Sequence, residues 1–382
     1  TQLQSSAASD VYKRQLMRDA DVYFFDEPSS YLDIYQRMRI VKIIQKLSET
    51  KRVIVIEHDL AVLDVLADLV HIVYGKKGAF GVFTPARTTR QAINAYLDGY
   101  LPEQNVRIRS KPIKFPLHRD RNNSAGNQII SWADLQKTLG DFTFSAEKGA
   151  LHRGEVVGVV GPNGTGKSTM MKILAGLIEY DDGWVENNPT ISYKPQHIDV
   201  DMDCSVQLWL DSELGAKWRS GEFNVNVIKA LGVDQLLPKR VKKLSGGERQ
   251  AVSIAICLGR EADLYLLDEP SAHLDANARM EAAKAIRRTM EANEKSALVI
   301  DHDVYFIDIL SDSLMVFDGQ GGQCGKATGP YPLRDGMNQF LKQVNITFRR
   351  DHDSKRPRIN KPESRKDREQ QSSGDYYSFQ SK

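Results

Sequence analysis

Two octapeptides, DEPSSYLD at residues 26–33 and DEPSAHLD at residues 268–275, are near copies, and each sits in the same local pattern. In the first, an apolar run VYFF leads into Asp26 and Glu27. A helical stretch IYQRMRIVKIIQKL follows, with Ile34, Met38, Val41 and Ile44 on one face, and then a second apolar run ends in IEHD. In the second, LYLL leads into Asp268 and Glu269, a helix reads ANARMEAAKAIRRTMEAN, and SALVI ends in DHD. The first Asp and the His are 32 residues apart in one copy (26 to 58) and 34 in the other (268 to 302), so one supersecondary unit is used twice. Strand, helix and strand in that order make a parallel unit with a right-handed crossover, and polar residues that end parallel strands gather at one edge of the sheet. Asp26, Glu27 and His58 are therefore expected together, as are Asp268, Glu269 and His302.

Only the second copy is preceded by a glycine-rich loop. EVVGVV feeds GPNGTGKST (Gly161, Pro162, Asn163, Gly164, Thr165, Gly166, Lys167, Ser168, Thr169) and then the helix STMMKILAGLI. This strand, loop and helix order separates a true phosphate-binding loop from a chance match. The glycines let the backbone approach phosphate and present N–H groups, Lys167 reaches the β- and γ-phosphates, and the Ser168 hydroxyl ligates Mg²⁺. Nucleotide binding, with ATP and Mg²⁺ as ligands, is the expectation.

Downstream, Asp268 is placed to hold the metal and Glu269 to polarise an attacking water; Asp26 and Glu27 are their counterparts in the first copy. A bland reading makes both acids helix caps, but the loop upstream argues against it. His302, with His58 as its duplicate, can hydrogen-bond a γ-phosphate. Gln196, in SYKPQ, lies where a side-chain amide can sense both metal and water. In KLSGGERQAVSIAI, Ser245, Gly246, Gly247 and Glu248 open a helix and form a second anion site. One nucleotide does not need two such sites on one domain, which points to a sandwich in which the SGG of one lobe caps the phosphate held by the other.

Composition narrows the class further. The chain of 382 residues has room for two domains, with 41% hydrophobic and 27% charged residues and a net charge of +2. Cys204, Cys257 and Cys324 are scattered without CxxC spacing, so no disulfide framework, zinc site or iron–sulfur cluster is expected from them. Apolar runs are of strand length, short of the roughly 18 residues a bilayer crossing needs, so a cytoplasmic protein is expected, with no membrane contact of its own. Two stretches are basic: VRIRSKPIKFPLHRDR (106–121), with six Lys or Arg against one Asp, and FRRDHDSKRPRINKPESRKDR (348–368). Each is a candidate for polyanion contact or, more simply, a solvated linker and tail.

GPNGTGKST, SYKPQ, LSGGE, YLLDEPSAHLD and IDHD, in that order, resemble an ABC-type ATPase domain. The resemblance makes Ser245, Gly246, Gly247 and Glu248 the signature motif, Asp275 part of the D-loop and His302 the switch histidine. DEPSSYLD, IEHDLAVLD, LDGYLP, SYKPQ, GMNQFL, ITFRRD and RPRINK, spread over residues 16–376, resemble the ABC subfamily E ribosome-recycling ATPases, also called the RNase L inhibitor family. The fold implied is α/β: P-loop NTPase cassettes of ABC type, a complete second cassette (123–336) with the C-terminal part of a first (16–96), and hinge segments at 97–122 and 337–382. The function implied is that of a soluble twin-cassette ATPase that splits ribosomes in translation. Its cassettes pair within one monomer, and its partners are ribosomal subunits, their RNA, and termination or initiation factors. The basic stretches fall where the hinges belong, so the resemblance implies that they contact ribosomal RNA or the cassettes.

The sequence departs from the family pattern at Ala251, where Arg usually follows the signature Gln, and at Asp301, which replaces Glu before the second switch histidine. Trp132, Phe142 and Phe144 are candidates to stack on adenine, with core packing the simpler role for both phenylalanines. Counting back from Asp26 by the intervals of the second copy places the first signature at residue 3 and the first glycine loop before residue 1. TQLQSSAASDVYKRQ there reads as a foreign leader over residues 1–15. The chain is thus expected to be a fragment whose two composite sites are both incomplete, hydrolysing ATP slowly, and whose first lobe exposes apolar surface. The alternative reading is the nucleotide-binding subunit of an ABC transporter, which shares every nucleotide motif but does not need the basic, Pro-containing hinges.

Overall fold

In the computed structural model, residues 20–30, 32–76, 79–109, 112–115, 127–198 and 202–378 are described; the expected leader lies outside them. These residues form two compact units, one of residues 127–340 and the other of residues 20–115 together with 341–378.

The first unit is built on a sheet of ten strands. Its centre is parallel: Ile191–Lys194, Leu264–Asp268, Ser296–Ile300, Val156–Val160 and Ser313–Asp318 lie side by side in that order. Val156–Val160, Leu264–Asp268 and Ser296–Ile300 are buried at every residue, as expected of parallel strands covered on both faces. An antiparallel portion grows from the long strand Gln128–Leu139, which pairs with Phe142–Ala146, Gly149–His152 and Asp182–Glu186. The strand Cys324–Pro332 joins the two portions, parallel to Phe142–Ala146 and antiparallel to Ser313–Asp318. Trp132, Phe144, Val157, Met171, Leu266, Leu298 and Phe317 belong to one core between these layers. Each such side chain taken fully out of water contributes on the order of 1.5–3 kcal/mol. The sheet thereby fixes the strand ends at Val160, Lys194, Asp268 and Ile300 along one edge.

In the other unit, Val22–Asp26 and Arg52–Ile56 pair in parallel, with the helix Ile34–Ser48 as the crossover, as the repeat predicts. Phe24, 74% exposed, and Ile54 and Ile56 leave an apolar face uncovered, in contrast to the strands of the first unit. The basic stretch at 348–368 is not a solvated tail. Phe348–Arg350 and Pro357–Ile359 form an antiparallel pair, and the helix Arg365–Ser373 follows, capped by Ser364. Arg356 is fully buried and forms an ion pair with Asp64, itself buried on the helix Leu60–Leu66; Arg358 reaches the same carboxylate at 3.0 Å. Arg90 bridges to Asp351 at 3.4 Å and Asp353 at 2.7 Å. Arg350 lies over the Tyr377 ring, 5.4 Å from its centre. These arginines serve as internal fasteners of this unit, in keeping with the expected contact between the hinge and a cassette.

The stretch at 106–121 is described only in part. Arg109 donates to the carbonyls of Tyr96 and Leu97 at 3.0 and 3.2 Å and lies over the Tyr96 ring, while Ile113 and Phe115 are buried. Both expected hinge segments therefore contribute to the packing of this unit. Among the described residues, no helix is long and apolar enough to cross a membrane.

Two outcomes follow from the Asp64 cluster. Arg356→Ala leaves a buried carboxylate with Arg358 as its remaining partner, so the cost is at the low end for a broken buried pair, about 3 kcal/mol. It is read as earlier proteolysis or melting of residues 20–115. Asp351 supplies the pH dependence. Burial works to raise its carboxyl, but bonds from the Ser354 amide and hydroxyl and the charge of Arg356 outweigh this and hold it at about 2, below the ordinary 3.8. A carboxyl depressed in the folded state stabilises fully above its unfolded value, and the stabilisation is lost as pH falls from 3.8 toward about 2. Acid unfolding of wild type and Asp351→Asn should accordingly converge across that window.

Candidate nucleotide site

The strand Val156–Val160 ends at Gly161, and the loop turns into the helix Lys167–Leu174 at Gly166. Gly166 has a φ of 91°, in the left-handed region, and a Cβ there would lie 2.8 Å from the Phe144 ring. Only glycine satisfies both demands. Lys167 is drawn back along the loop, its ammonium donating to the carbonyls of Gly161 at 2.9 Å and Pro162 at 2.6 Å. The Thr165 hydroxyl closes the turn by donating to the Pro162 carbonyl at 2.8 Å. A second glycine-rich turn, DGQGGQCG at 318–325, braces this loop. The Gly322 amide donates to the Gly164 carbonyl at 3.0 Å, and Gly325 lies so close that a Cβ would come within 1.9 Å of the Thr165 carbonyl oxygen.

Asp268 and Glu269 lie at the end of the strand Leu264–Asp268, one strand removed from Val156–Val160 across Ser296–Ile300. The Ser168 side chain lies beside the Asp268 carboxylate, and Asp268 Oδ1 is buried with no hydrogen-bond partner among the described residues. Burial first, then the neighbouring Glu269 charge, raise the Asp268 carboxyl above its ordinary value, although Ser168 opposes them. An orphaned buried carboxylate oxygen next to a serine hydroxyl is an oxygen donor set that a hard cation takes, so the residues fit Mg²⁺. Glu269 behaves oppositely. Burial works to raise it, but the neighbouring His302 and Gln196 side chains and the Lys167 charge outweigh this and hold it at about 2, so it is ionised at neutral pH. His302 Nε2 lies 3.5 Å from Glu269 Oε1. The sequence-predicted Lys167, Ser168, Gln196, Asp268, Glu269 and His302 thus share one site.

Glu269 has a φ of 44°, and Glu27 in the other unit has 45°. The duplicated network extends to hydrogen bonds. Asp301 accepts from the Ser271 amide and hydroxyl at 3.0 and 2.7 Å, and Glu57 accepts from the Ser29 amide and hydroxyl at 3.4 and 2.7 Å. The Asp301 departure therefore keeps the role of the longer acid. Asp275 caps the helix Ala276–Asn293 through the Ala278 amide, and Asp33 caps its counterpart through Gln36. His58 Nε2 lies 3.4 Å from Glu27 Oε1. Asp26, Glu27 and His58 come together as expected, but Asp26 and Glu27 are exposed.

The signature turn is a capping box: the Glu248 amide donates to Ser245 Oγ at 3.3 Å, and the Ser245 amide donates to Glu248 Oε2 at 3.1 Å. Lys239 pairs with Glu248 at 2.9 Å. Gly246 and Gly247 lie against His273, and a Cβ on Gly247 would come 2.6 Å from the His273 carbonyl oxygen. Trp132 is fully buried and donates its indole N–H to the Glu147 carbonyl at 2.9 Å, and Phe144 stacks on Phe317, so both are core residues. Of the three aromatic candidates, Phe142 is half-buried and borders Gly166.

Three groups escaped sequence reasoning. Gln250 is buried and donates to the Glu269 carbonyl at 2.5 Å. Lys194, 1% exposed, donates to the Asp268 carbonyl at 2.8 Å; burial pulls its ammonium down to about 8 despite the neighbouring acids. Gly325 is the third. A charged lysine inside SYKPQ was the one available signal, since a charge in an otherwise strand-like run invites a search for its partner.

A family model described as ABC transporter matches residues 147–272. An archaeal ribosome recycling factor, aABCE1, solved in complex with the ribosomal stalk protein aP1, superposes with a TM-score of 0.90 at 48% identity, covering 95% of this chain and 70% of that one. The chain belongs to the ABC subfamily E, the RNase L inhibitor family. A solved RNase-L inhibitor superposes equally well, at 47% identity over 96% of this chain and 71% of its own. Translation initiation factor RLI1 of Saccharomyces cerevisiae is 41% identical over 94% of this chain. An uncharacterized ABC transporter ATP-binding protein of Methanocaldococcus jannaschii is 44% identical over the same share. The chain spans about 60% of the length of each of these two relatives.

Gly325→Ala places a methyl group into the Thr165 carbonyl and must displace the phosphate loop. Its affinity for a fluorescent ATP analogue should fall roughly tenfold or more, by analogy with overpacking costs of about 1–3 kcal/mol. Gly221→Ala, where a Cβ meets nothing within 4 Å, should bind as wild type does.

Proposed function

We propose that this chain is part of a cytoplasmic twin-cassette ATPase that couples ATP binding and hydrolysis to the separation of ribosomal subunits. One observation carries the reading: the strained acid, its histidine and the serine-to-acid bonds occur twice, in two separate compact units. Each unit holds the acid side of a nucleotide site, as a two-lobed machine requires. Subunit splitting, rather than transport, is supported by the similar structures, one a ribosome recycling factor with a ribosomal stalk protein and another ABCE1 with Pelota on the ribosome. Ribosomal subunits, stalk proteins and termination-type factors are accordingly the proposed partners.

At the second-cassette site, the Gly161–Gly166 amides and Lys167 bind the phosphates of the substrate ATP. Ser168, Gln196 and Asp268 hold Mg²⁺, which supplies charge neutralisation at the phosphates. Glu269, ionised at neutral pH, orients and polarises the attacking water, and Gln196 and His302 fix its carboxylate. Ser245, Gly246 and Gly247 with Glu248 at the mouth of their helix cap a phosphate held by an opposing lobe. Asp275 secures the turn between the acid pair and its helix. Asp26, Glu27 and His58 perform the corresponding tasks in the first cassette.

Lys167→Ala should weaken Mg·ATP binding about 10–100-fold, from the loss of a charge-assisted contact, as read by equilibrium titration. Co-sedimentation with ribosomal subunits supports recycling, whereas co-sedimentation with membranes alone would favour a transporter subunit.

A further inference from the structure

The strand Ile191–Lys194 pairs with Leu264–Asp268 only as far as Lys194 opposite Leu267. Beyond that point the two chains diverge, one toward Gln196 and the other toward Glu269, with no further strand register between them. The Lys194 side chain spans the divergence. Its ammonium donates to the carbonyl oxygen of Asp268 at 2.8 Å and to that of Pro195 at 3.1 Å. One group thus ties the backbone of the residue with the orphaned carboxylate oxygen to the first residue of the loop that carries Gln196. The charged groups around it are the Asp268, Glu269 and Asp301 carboxylates, with the Cys257 thiol behind.

A buried ammonium costs several kcal/mol in desolvation, and an apolar side chain of similar length would fill the same space without that cost. Packing therefore does not explain Lys194. A carbonyl bridge does, because a cation site needs its donors held within a few tenths of an ångström; sheet pairing holds Asp268 on one side only, against Ile300, and leaves it untied toward the strand of Lys194, while Gln196 lies beyond the end of that strand.

We propose that Lys194 is a positioning residue for the metal side of the nucleotide site: it sets the Asp268 carboxylate and the Gln196 amide at the separation at which both serve one cation beside Ser168. The inference rests on the nucleotide reading above. The phosphate grip of Lys167 and the loop amides does not involve Lys194, so loss of the bridge removes the contribution of the metal and leaves that of the phosphates.

The test is equilibrium titration of a fluorescent ATP analogue, once in Mg²⁺ and once in EDTA, with wild type, Lys194→Met, Lys194→Gln and Lys167→Ala. Lys194→Met should weaken binding in Mg²⁺ roughly tenfold or more, the usual cost of removing a supporting partner of a metal ligand. In EDTA it should bind within about twofold of wild type, a phosphate grip unchanged on the scale of ordinary surface effects. Lys194→Gln, shorter by one atom and able to reach a single carbonyl, should show a smaller loss of the same Mg²⁺-specific kind. A uniform loss with and without Mg²⁺, or no loss in either variant, would overturn the proposal. If Lys194→Met does not fold, the Gln variant decides by the same criterion. Failure of the underlying nucleotide reading shows separately, as Lys167→Ala binding like wild type in EDTA, and would sink both.

Discussion

The site depends on a backbone turn that an L-residue avoids. Glu269 sits at a φ of 44° immediately after a fully buried strand, a conformation that costs of the order of 1–3 kcal/mol. What holds it there is visible. Its amide donates to the Ile300 carbonyl at 2.9 Å, its carbonyl accepts from Gln250, and the carbonyl before it accepts from Lys194. Three hydrogen bonds, each of about 0.5–1.5 kcal/mol net, match the strain in size. The turn aims the carboxylate away from the strand direction, toward the loop that begins at Gly161.

That arrangement explains why distant motifs have to be present together. Gln250 belongs to the helix that Ser245 opens, so the signature turn and the strained acid are bonded through one helix; Gly247 against the His273 carbonyl is a second tie between the same two segments. Lys194 links the loop of Gln196 to the other side of the acid pair. The phosphate loop is braced in turn by the glycine turn before Cys324. No motif of the site is positioned by its own residues alone. The copy in the other unit retains the strain at Glu27, the His58 contact and the acid-to-serine bonds, which identifies those features as the invariant part of the device.

Much of this was legible in the linear chain. Periodicity and the repeated octapeptide placed Asp268, Glu269 and His302 at the ends of parallel strands, because side chains that end adjacent parallel strands share an edge whatever the packing behind them. The glycine loop was legible for a similar reason, since its conformation demands glycine at fixed positions. Lys194, Gln250 and Gly325 were not, because each acts on a main-chain carbonyl from another segment, and a carbonyl has no signature in sequence. The partners of the basic run at 348–368 were hidden for a related reason: cassette contact was expected of it, but not which carboxylates, such as Asp64 nearly three hundred residues away in the chain, bury and pair with its arginines.

The sequence by itself determined the glycine-rich loop, the strand-end acids and histidines, and that the unit occurs twice. It could do so because local backbone geometry and donor type are properties of short segments. Only the tertiary structure decided which carbonyls Lys194 and Gln250 hold, which carboxylates the arginines of 348–368 fasten, and that Trp132 belongs to the core. Those outcomes depend on which segments burial brings within hydrogen-bond reach, and burial is settled by the whole chain at once.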